Sequence, residues 1–235
     1  MRAAILLQAR MASRRLPGKA LATIEGISIL EHSVRRLRQS GLPIVLATTH
    51  RPDDDVLETE AARLSIDVFR GADEHVLGRI VGAAHAFGVE EIVRATADNP
   101  CVDGAGVWRV LDQRRRTGAD HVIERGLPVG AAVETVTRLA LERAAEWATE
   151  PYDREHVTTI VRRDARFCAI EVVAPGDLRC PDLRLTIDTP ADLAFVRQVF
   201  AALHPDDRRD APLASLIASA RRIAKTMMPQ KRQGA

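Results

Sequence analysis

Aromatic residues are scarce in this 235-residue chain: five Phe, two Trp and one Tyr. Charge is balanced as well, with 34 Lys and Arg against 32 Asp and Glu, and the basic residues are spread along the chain. Without a concentrated basic face or aromatic platforms, a nucleic-acid surface is not expected. Cysteine is limited to Cys101, Cys168 and Cys180, an odd and scattered set with no C-x-x-C spacing, so reduced thiols are expected in place of a disulfide framework or zinc site. No apolar run approaches the roughly 18 residues that a membrane span needs. A strand-like segment starts almost at once, with no secretory apolar core before it, which points to the cytoplasm.

Short apolar runs alternate with helical periodicity over the first half. Ala3–Leu7, Ile44–Ala47, Ile66–Phe69 and Glu91–Ala95 read as strands. Between them, Ile27, Leu30, Val34 and Leu37 recur at helical spacing up to Gly41, as do Val56, Leu57, Ala61 and Leu64, then Val76, Leu77, Ile80, Val81, Ala84 and Phe87. Such alternation predicts an α/β fold with a mainly parallel sheet and helices on both faces. From about Ala119 the order loosens. Strands are expected at His121–Ile123, Ala131–Thr137, Phe167–Val173 and Leu183–Thr186, with helices at Leu139–Ala148 and His156–Val161, giving a small mixed β region. A last helix carries Leu193, Val196, Phe200 and Leu203, and the basic stretch Arg221–Arg232 is expected to follow a short final helix.

Glycine is missing where a dinucleotide site would need it. The loop after the first strand, Gln8-Ala9-Arg10-Met11-Ala12-Ser13-Arg14-Arg15-Leu16-Pro17-Gly18-Lys19, has one glycine and no G-x-G-x-x-G. Nor is it a Walker loop, because Gly18-Lys19 is followed by Ala20. Four cations surround a Pro-Gly turn instead. At the carboxyl edge of a parallel sheet, backbone N–H groups and long cations suit a polyphosphate, Arg offering planar forks and Lys a compact point charge. An ordinary turn with solvated charges has the same composition.

Two acids stand at the ends of strand-like segments. Asp98, in Arg94-Ala95-Thr96-Ala97-Asp98-Asn99-Pro100, follows Glu91–Ala95, and Asp188, in Leu185-Thr186-Ile187-Asp188-Thr189-Pro190, precedes a helix. Magnesium takes one or two protein carboxylates and completes its shell with water and phosphate oxygens, a sparse pattern that both fit. Each also has a structural reading. Asp-Asn-Pro forms turns, and Asp-Thr-Pro-Ala-Asp-Leu starts a helix with Thr189 at the cap.

The basic loop resembles the signature of the cytidylyltransferase family that includes the spore coat polysaccharide type and the synthetases of CMP-activated sialic and octulosonic acids. Val45-Leu-Ala-Thr48, Phe69-Arg-Gly71, Val76-Leu-Gly-Arg79, Ala97-Asp98-Asn-Pro100, Asp153-Arg-Glu-His-Val-Thr158 and Thr186-Ile-Asp-Thr-Pro-Ala-Asp-Leu193 are similar to further family blocks, in order, over roughly residues 2–200. The resemblance implies a Rossmann-like nucleotidyltransferase fold over 1–205, with about 119–180 as an inserted acceptor and dimerisation region and 206–235 as a C-terminal helix and basic tail. It implies CMP transfer from CTP with release of pyrophosphate, Mg2+ as cofactor and a homodimer. Arg10, Lys19 and Asp98 would be catalytic. Gln8, Ala9, Arg10, Ser13, Arg14, Lys19, Thr48, Arg70, Gly71 and Arg79 would bind nucleotide. Asp98 and Asp188 would hold the metal.

For the acceptor the chain departs from its relatives. Sugar-acid enzymes of the family show Gly-Leu-Asp-x-Glu, where this chain has Gly130-Ala131-Ala132-Val133-Glu134. Alanine cannot bind hydroxyls, which favours a small anionic acceptor, a phosphonate or phosphate, over a sugar acid. Arg125, Glu134, Arg154 and His156 are the candidate acceptor residues. Asp153-Arg154-Glu155 also reads as a helix start with His156 packed beneath it. Another nucleotide specificity, a glycosyltransferase with an unusual metal motif and an inactive nucleotide-binding protein are the other readings.

Overall fold

The computed structural model describes residues 1–227. Its centre is β1 (Ala3–Gln8), paired in parallel with β4 (Ile44–Thr49) on one side and β6 (Glu91–Thr96) on the other. Ala4, Ile5, Leu6 and Leu7 are all buried. A strand covered on both faces has to be apolar throughout, and for that reason this run does not alternate. Ile5 and Leu7 pack with Leu46 and Val93 against α1 (Ile29–Arg38), α2 (Asp55–Arg63) and α4 (Gly106–Thr117). Ala4 and Leu6 pack with Val45 and Ile92 under α3 (Val76–Ala86) and α5 (Arg138–Trp147). Each large side chain buried in these layers contributes about 2 kcal/mol.

The whole sheet has seven strands in the order β5-β4-β1-β6-β8-β7-β9, with β5 at Asp67–Gly71, β7 at His121–Arg125, β8 at Glu134–Thr137 and β9 at Ala169–Val173. Only β8 runs against its neighbours, pairing antiparallel with both β6 and β7, while β7 and β9 are parallel. The late strands therefore extend the main sheet. A two-residue hairpin, β2 (Thr23–Ile24) and β3 (Ile27–Ser28), leads into α1, so Ile27 lies outside the helix that the periodicity predicts. Ser28 caps that helix by accepting from the Glu31 N–H at 3.0 Å.

Four expectations need correction. Leu183–Thr186 forms no strand, only one parallel bridge between Arg184 and Val129. Its alternation arises because Leu183, Leu185 and Ile187 point into a third core against α8 (Pro190–Ala201) and α9 (Leu213–Met227). Ala131–Val133 lies outside β8, where a turn closes between the Ala131 N–H and the Pro128 carbonyl at 3.0 Å. The helix expected at His156–Val161 is two, α6 (Pro151–His156) and α7 (Thr159–Arg163), broken at Val157, whose φ of 55° and ψ of −62° no helix admits. The final helix is not short. Arg221, Arg222 and Lys225 stand on it, and the rest of the basic stretch, from 228 on, lies outside the described residues. Helix α4 was not anticipated, although Val107, Val110, Leu111 and Arg114 carry helical spacing and Gly118 (φ 67°) ends it.

Gly130 holds the segment before β8 against the one before α8. Its φ is 93°, and a Cβ there would lie 2.6 Å from the Thr186 amide nitrogen. Gly130→Ala is expected to cost about 2 kcal/mol or more in urea unfolding, from strain and overlap together.

Candidate active site

The carboxyl ends of β1, β4, β5 and β6 lie at one edge of the sheet, because these strands are parallel. The basic loop leaves β1 there. Within it the Ser13 and Gly18 amides both donate to the Met11 carbonyl, at 2.8 and 2.9 Å, and Gly18 takes a left-handed φ of 72° that closes the turn. Asp54, wholly buried, fastens this loop to β4. One of its oxygens accepts from the Met11 amide at 2.7 Å, and the other accepts from the Thr48 hydroxyl (3.1 Å), the Thr49 amide (3.2 Å) and the Thr49 hydroxyl. Sequence reasoning passed over Asp54 because it sits in the run Asp53-Asp54-Asp55, which reads as a solvated helix start.

Lys19 opens one turn of 3-10 helix at the loop's end. Its ammonium donates to Asp98 Oδ2 at 2.6 Å, to the Ile187 carbonyl at 2.9 Å and to Asp188 Oδ1 at 3.1 Å. Three segments far apart in sequence thus meet on one nitrogen. Asp98 is oriented from behind: the Thr96 hydroxyl donates to its Oδ1 at 2.6 Å, and the Asn99 amide donates to that hydroxyl at 2.7 Å. Asp188 also pairs with Arg15 at 2.9 Å and with Arg184. Burial alone would raise the Asp188 carboxyl, but the Lys19 hydrogen bond and charge, with Arg15 and Arg184, hold it below the usual range. The helix-start reading of this segment is also correct. Thr189 and Asp192 form a reciprocal capping box on α8 with Pro190 in the first turn, which leaves the Asp188 carboxylate free to face Lys19.

The other candidate nucleotide residues divide in two. Arg10 is part-exposed and reaches Asp73 (3.3 Å) and Glu155 (3.4 Å), Ser13 is half-buried, and Arg14 is exposed. Gln8 accepts from Arg94 at 3.1 Å and Ala9 is buried where β1 ends. Thr48 is fully buried and its hydroxyl is spent on Asp54. Arg70 donates to the Thr49 and Arg51 carbonyls, both at 2.7 Å, and pairs with Asp55 at 2.6 Å. Arg79 is buried under Gly71, donating to the Ala72 carbonyl at 2.6 Å; burial, with the nearby Arg10 charge, lowers its pKa. These last residues build the wall behind the loop.

A cavity of about 270 Å³ opens beside Thr96 and Asn99. His156 and Glu134 line it, as do Tyr152, Thr159 and Arg162; Arg125 and Arg154 do not. Arg154 instead donates from Nε to the Ala148 carbonyl at 2.9 Å. Glu134 is buried, accepting from Arg94 at 2.5 Å, from His121 at 2.8 Å and from the Thr158 hydroxyl at 3.0 Å. Its carboxylate braces the cavity wall. Burial would push it up, but the Arg94 charge and the His121 contact dominate and hold it at about 2. His156 does not pack beneath the helix; it is exposed, its ring 4.2 Å from that of Tyr152. Arg162 belongs to no recognised motif; it stands on α7, after the break at Val157, and lines the cavity.

The cytidylyltransferase family profile matches residues 4–215. The chain belongs to the cytidylyltransferase family. It is 33% identical over 211 residues to the spore coat polysaccharide biosynthesis protein SpsF of Bacillus subtilis, covering 86% of this chain and 88% of that one. A 3-deoxy-manno-octulosonate cytidylyltransferase of Mesorhizobium japonicum is 38% identical over 107 residues, 42% of each chain. Among solved structures, a cytidylyltransferase from Leptospira borgpetersenii superposes with a TM-score of 0.85 at 26% identity, covering 98% of both chains. The fold is accordingly the α/β nucleotidyltransferase fold of these cytidylyltransferases.

Two outcomes follow for this cytidylyltransferase. Asp54→Ala strands the Met11 amide and both threonines, and is expected to cost about 2 kcal/mol or more of stability, read by denaturant unfolding. Glu134 titrates lower folded than its ordinary value of 4.5. Its contribution is therefore complete above that value and lost as pH falls from about 4.5 toward 2. Glu134→Gln should flatten the fall of melting temperature across that window, and an unchanged slope would place the acid sensitivity elsewhere.

Proposed function

We propose that the protein transfers CMP from CTP to a small anionic acceptor and releases pyrophosphate. The observation that carries this reading is the convergence of Lys19, Asp98 and Asp188 between a cation-rich loop and the cavity lined by His156 and Arg162. Arg10, Arg14, Arg15 and Lys19 neutralise the charge that builds on the departing pyrophosphate. The acceptor oxygen attacks the α-phosphorus, its new bond forming as the bond to the bridging oxygen of pyrophosphate breaks. Little covalent work falls to the protein, which contributes position and charge.

The residues present fit magnesium. Asp98 and Asp188 already converge on one cationic centre, that of Lys19, and among the described residues no group of three or more His, Cys, Asp or Glu gathers to form an all-protein cage. Two carboxylates with water and phosphate completing the shell is what this ion takes. Bound there, magnesium would polarise the α-phosphate.

In the acceptor cavity the basic side chains are Arg94, which is already paired with Glu134, and His156 and Arg162, in place of Arg125 and Arg154. Ala132, at the position of the aspartate in the sugar-acid motif, lines it too and offers no side-chain hydrogen bond to a hydroxyl there. A phosphonate or phosphate, ionised at neutral pH and needing no general base, fits these walls. The octulosonate relative favours a second reading, transfer to a sugar acid. Pyrophosphate release with each of the four NTPs, magnesium and a panel of phosphonates, phosphates and sugar acids tests both. CTP with a phosphonate or phosphate is the expected pair; turnover with a sugar acid alone selects the second reading, and turnover with another NTP overturns both. Arg162→Ala is expected to raise the acceptor KM about tenfold while leaving the CTP KM within about twofold. Asp98→Asn should lower kcat by about 100-fold or more.

A further inference from the structure

Lys19 does more in this structure than await a phosphate. An ammonium has three protons, and all three have acceptors: Asp98 Oδ2 at 2.6 Å, the Ile187 carbonyl at 2.9 Å and Asp188 Oδ1 at 3.1 Å. Its side chain is 13% exposed, against 25% for Asp98 and 21% for Asp188, so little water intervenes. The remaining carboxylate oxygens are occupied too. Asp98 Oδ1 accepts from Thr96, and Asp188 Oδ2 from Arg184, which Asp192 shares at 3.2 Å. Arg15 adds a second cation to Asp188 Oδ1 at 2.9 Å.

The cluster is therefore closed to a divalent cation on two counts. Every oxygen that would bind metal already has a donor on it. The three carboxylates Asp98, Asp188 and Asp192 also face three cations, Lys19, Arg15 and Arg184, so no net negative charge draws a metal in. A triphosphate changes both. It competes for Lys19 and Arg15, which belong to the same loop as Arg10 and Arg14. With those two cations turned to phosphate, the carboxylates are released and the local charge becomes negative.

We propose that Lys19 is an internal counter-cation that occupies the metal carboxylates in the free protein and is exchanged for a divalent cation only when a nucleoside triphosphate arrives. The inference rests on the assignment of Asp98 and Asp188 as metal ligands. Its consequence is linkage: nucleotide and metal each raise the affinity for the other, and metal alone binds weakly.

The test is Mn2+ binding to the full chain without nucleotide, followed by electron paramagnetic resonance. Wild type should bind weakly, and Lys19→Met about tenfold or more tightly. Lys19→Arg, which restores the charge, should bind as weakly as wild type. Arg15→Gln, at an exposed position, removes one charge from the same carboxylate and should raise Mn2+ affinity about threefold, which keeps the proposal testable if Lys19→Met does not fold. Equal affinity in wild type, Arg15→Gln and Lys19→Met overturns the exchange. If that shared affinity is tight and Asp98→Asn removes it, the metal assignment stands and only the exchange falls. If Lys19→Met binds tightly and adding Asp98→Asn leaves that binding intact, the metal assignment itself falls. Absence of binding in every form overturns the exchange.

Discussion

One ammonium group, Lys19 Nζ, holds the site together. It draws the end of the first loop, the turn after β6 and the approach to α8 onto a single point, all within 3.1 Å. Two carboxylates brought that close would repel without a cation between them, and a half-buried lysine would lose hydration without acceptors. Each charge makes the others tolerable. A backbone bond from the Ile187 amide to the Asp98 carbonyl, at 2.9 Å, zips the two acidic segments together and fixes the spacing that Lys19 spans.

Around that point the fold supplies rigid footing. The parallel strands β1, β4, β5 and β6 end at one edge, so four successive loops share one surface. Asp54 ties the first of these loops to the end of β4. On the other flank, the buried Glu134 joins β6 to β7 and to Thr158 through Arg94 and His121, and so sets the cavity wall. Val157 is the strained element. A β-branched, fully buried residue at φ 55° costs energy that its packing offsets, and the bend it makes puts His156 and Thr158 on the same cavity.

Much of this was legible in the sequence. Buried parallel strands carry apolar runs, unbroken in β1 and β4 and interrupted by Arg94 in β6, so these strands announced themselves, and the helices between them kept their period. The basic loop and Asp98 each follow a strand of the sheet, which placed them at one edge; Asp188 follows a segment that forms no strand and reaches that edge through the backbone bond from Ile187 to Asp98. Other features lacked a local signal. Leu183–Thr186 alternates because one side faces a helical core, and alternation alone does not tell a strand from an extended segment of that kind. Asp54 resembles its two acidic neighbours and differs only in burial, which depends on the loop it meets. Arg154 and Arg125 carry charge but do not line the cavity, Arg154 being turned to the Ala148 carbonyl, whereas Arg162 does line it. Tertiary geometry decided these cases, and no spacing within a single segment encodes it.

The central claim is that the paired carboxylates and the first loop form one nucleotide-and-metal site. A crystal structure with Mn2+ and a non-hydrolysable CTP analogue, its metal located by anomalous scattering, tests this most directly. The expected result is manganese between Asp98 and Asp188, with Lys19 Nζ moved onto a phosphate oxygen. Manganese bound away from both aspartates, or Lys19 still seated between them with nucleotide present, would contradict it.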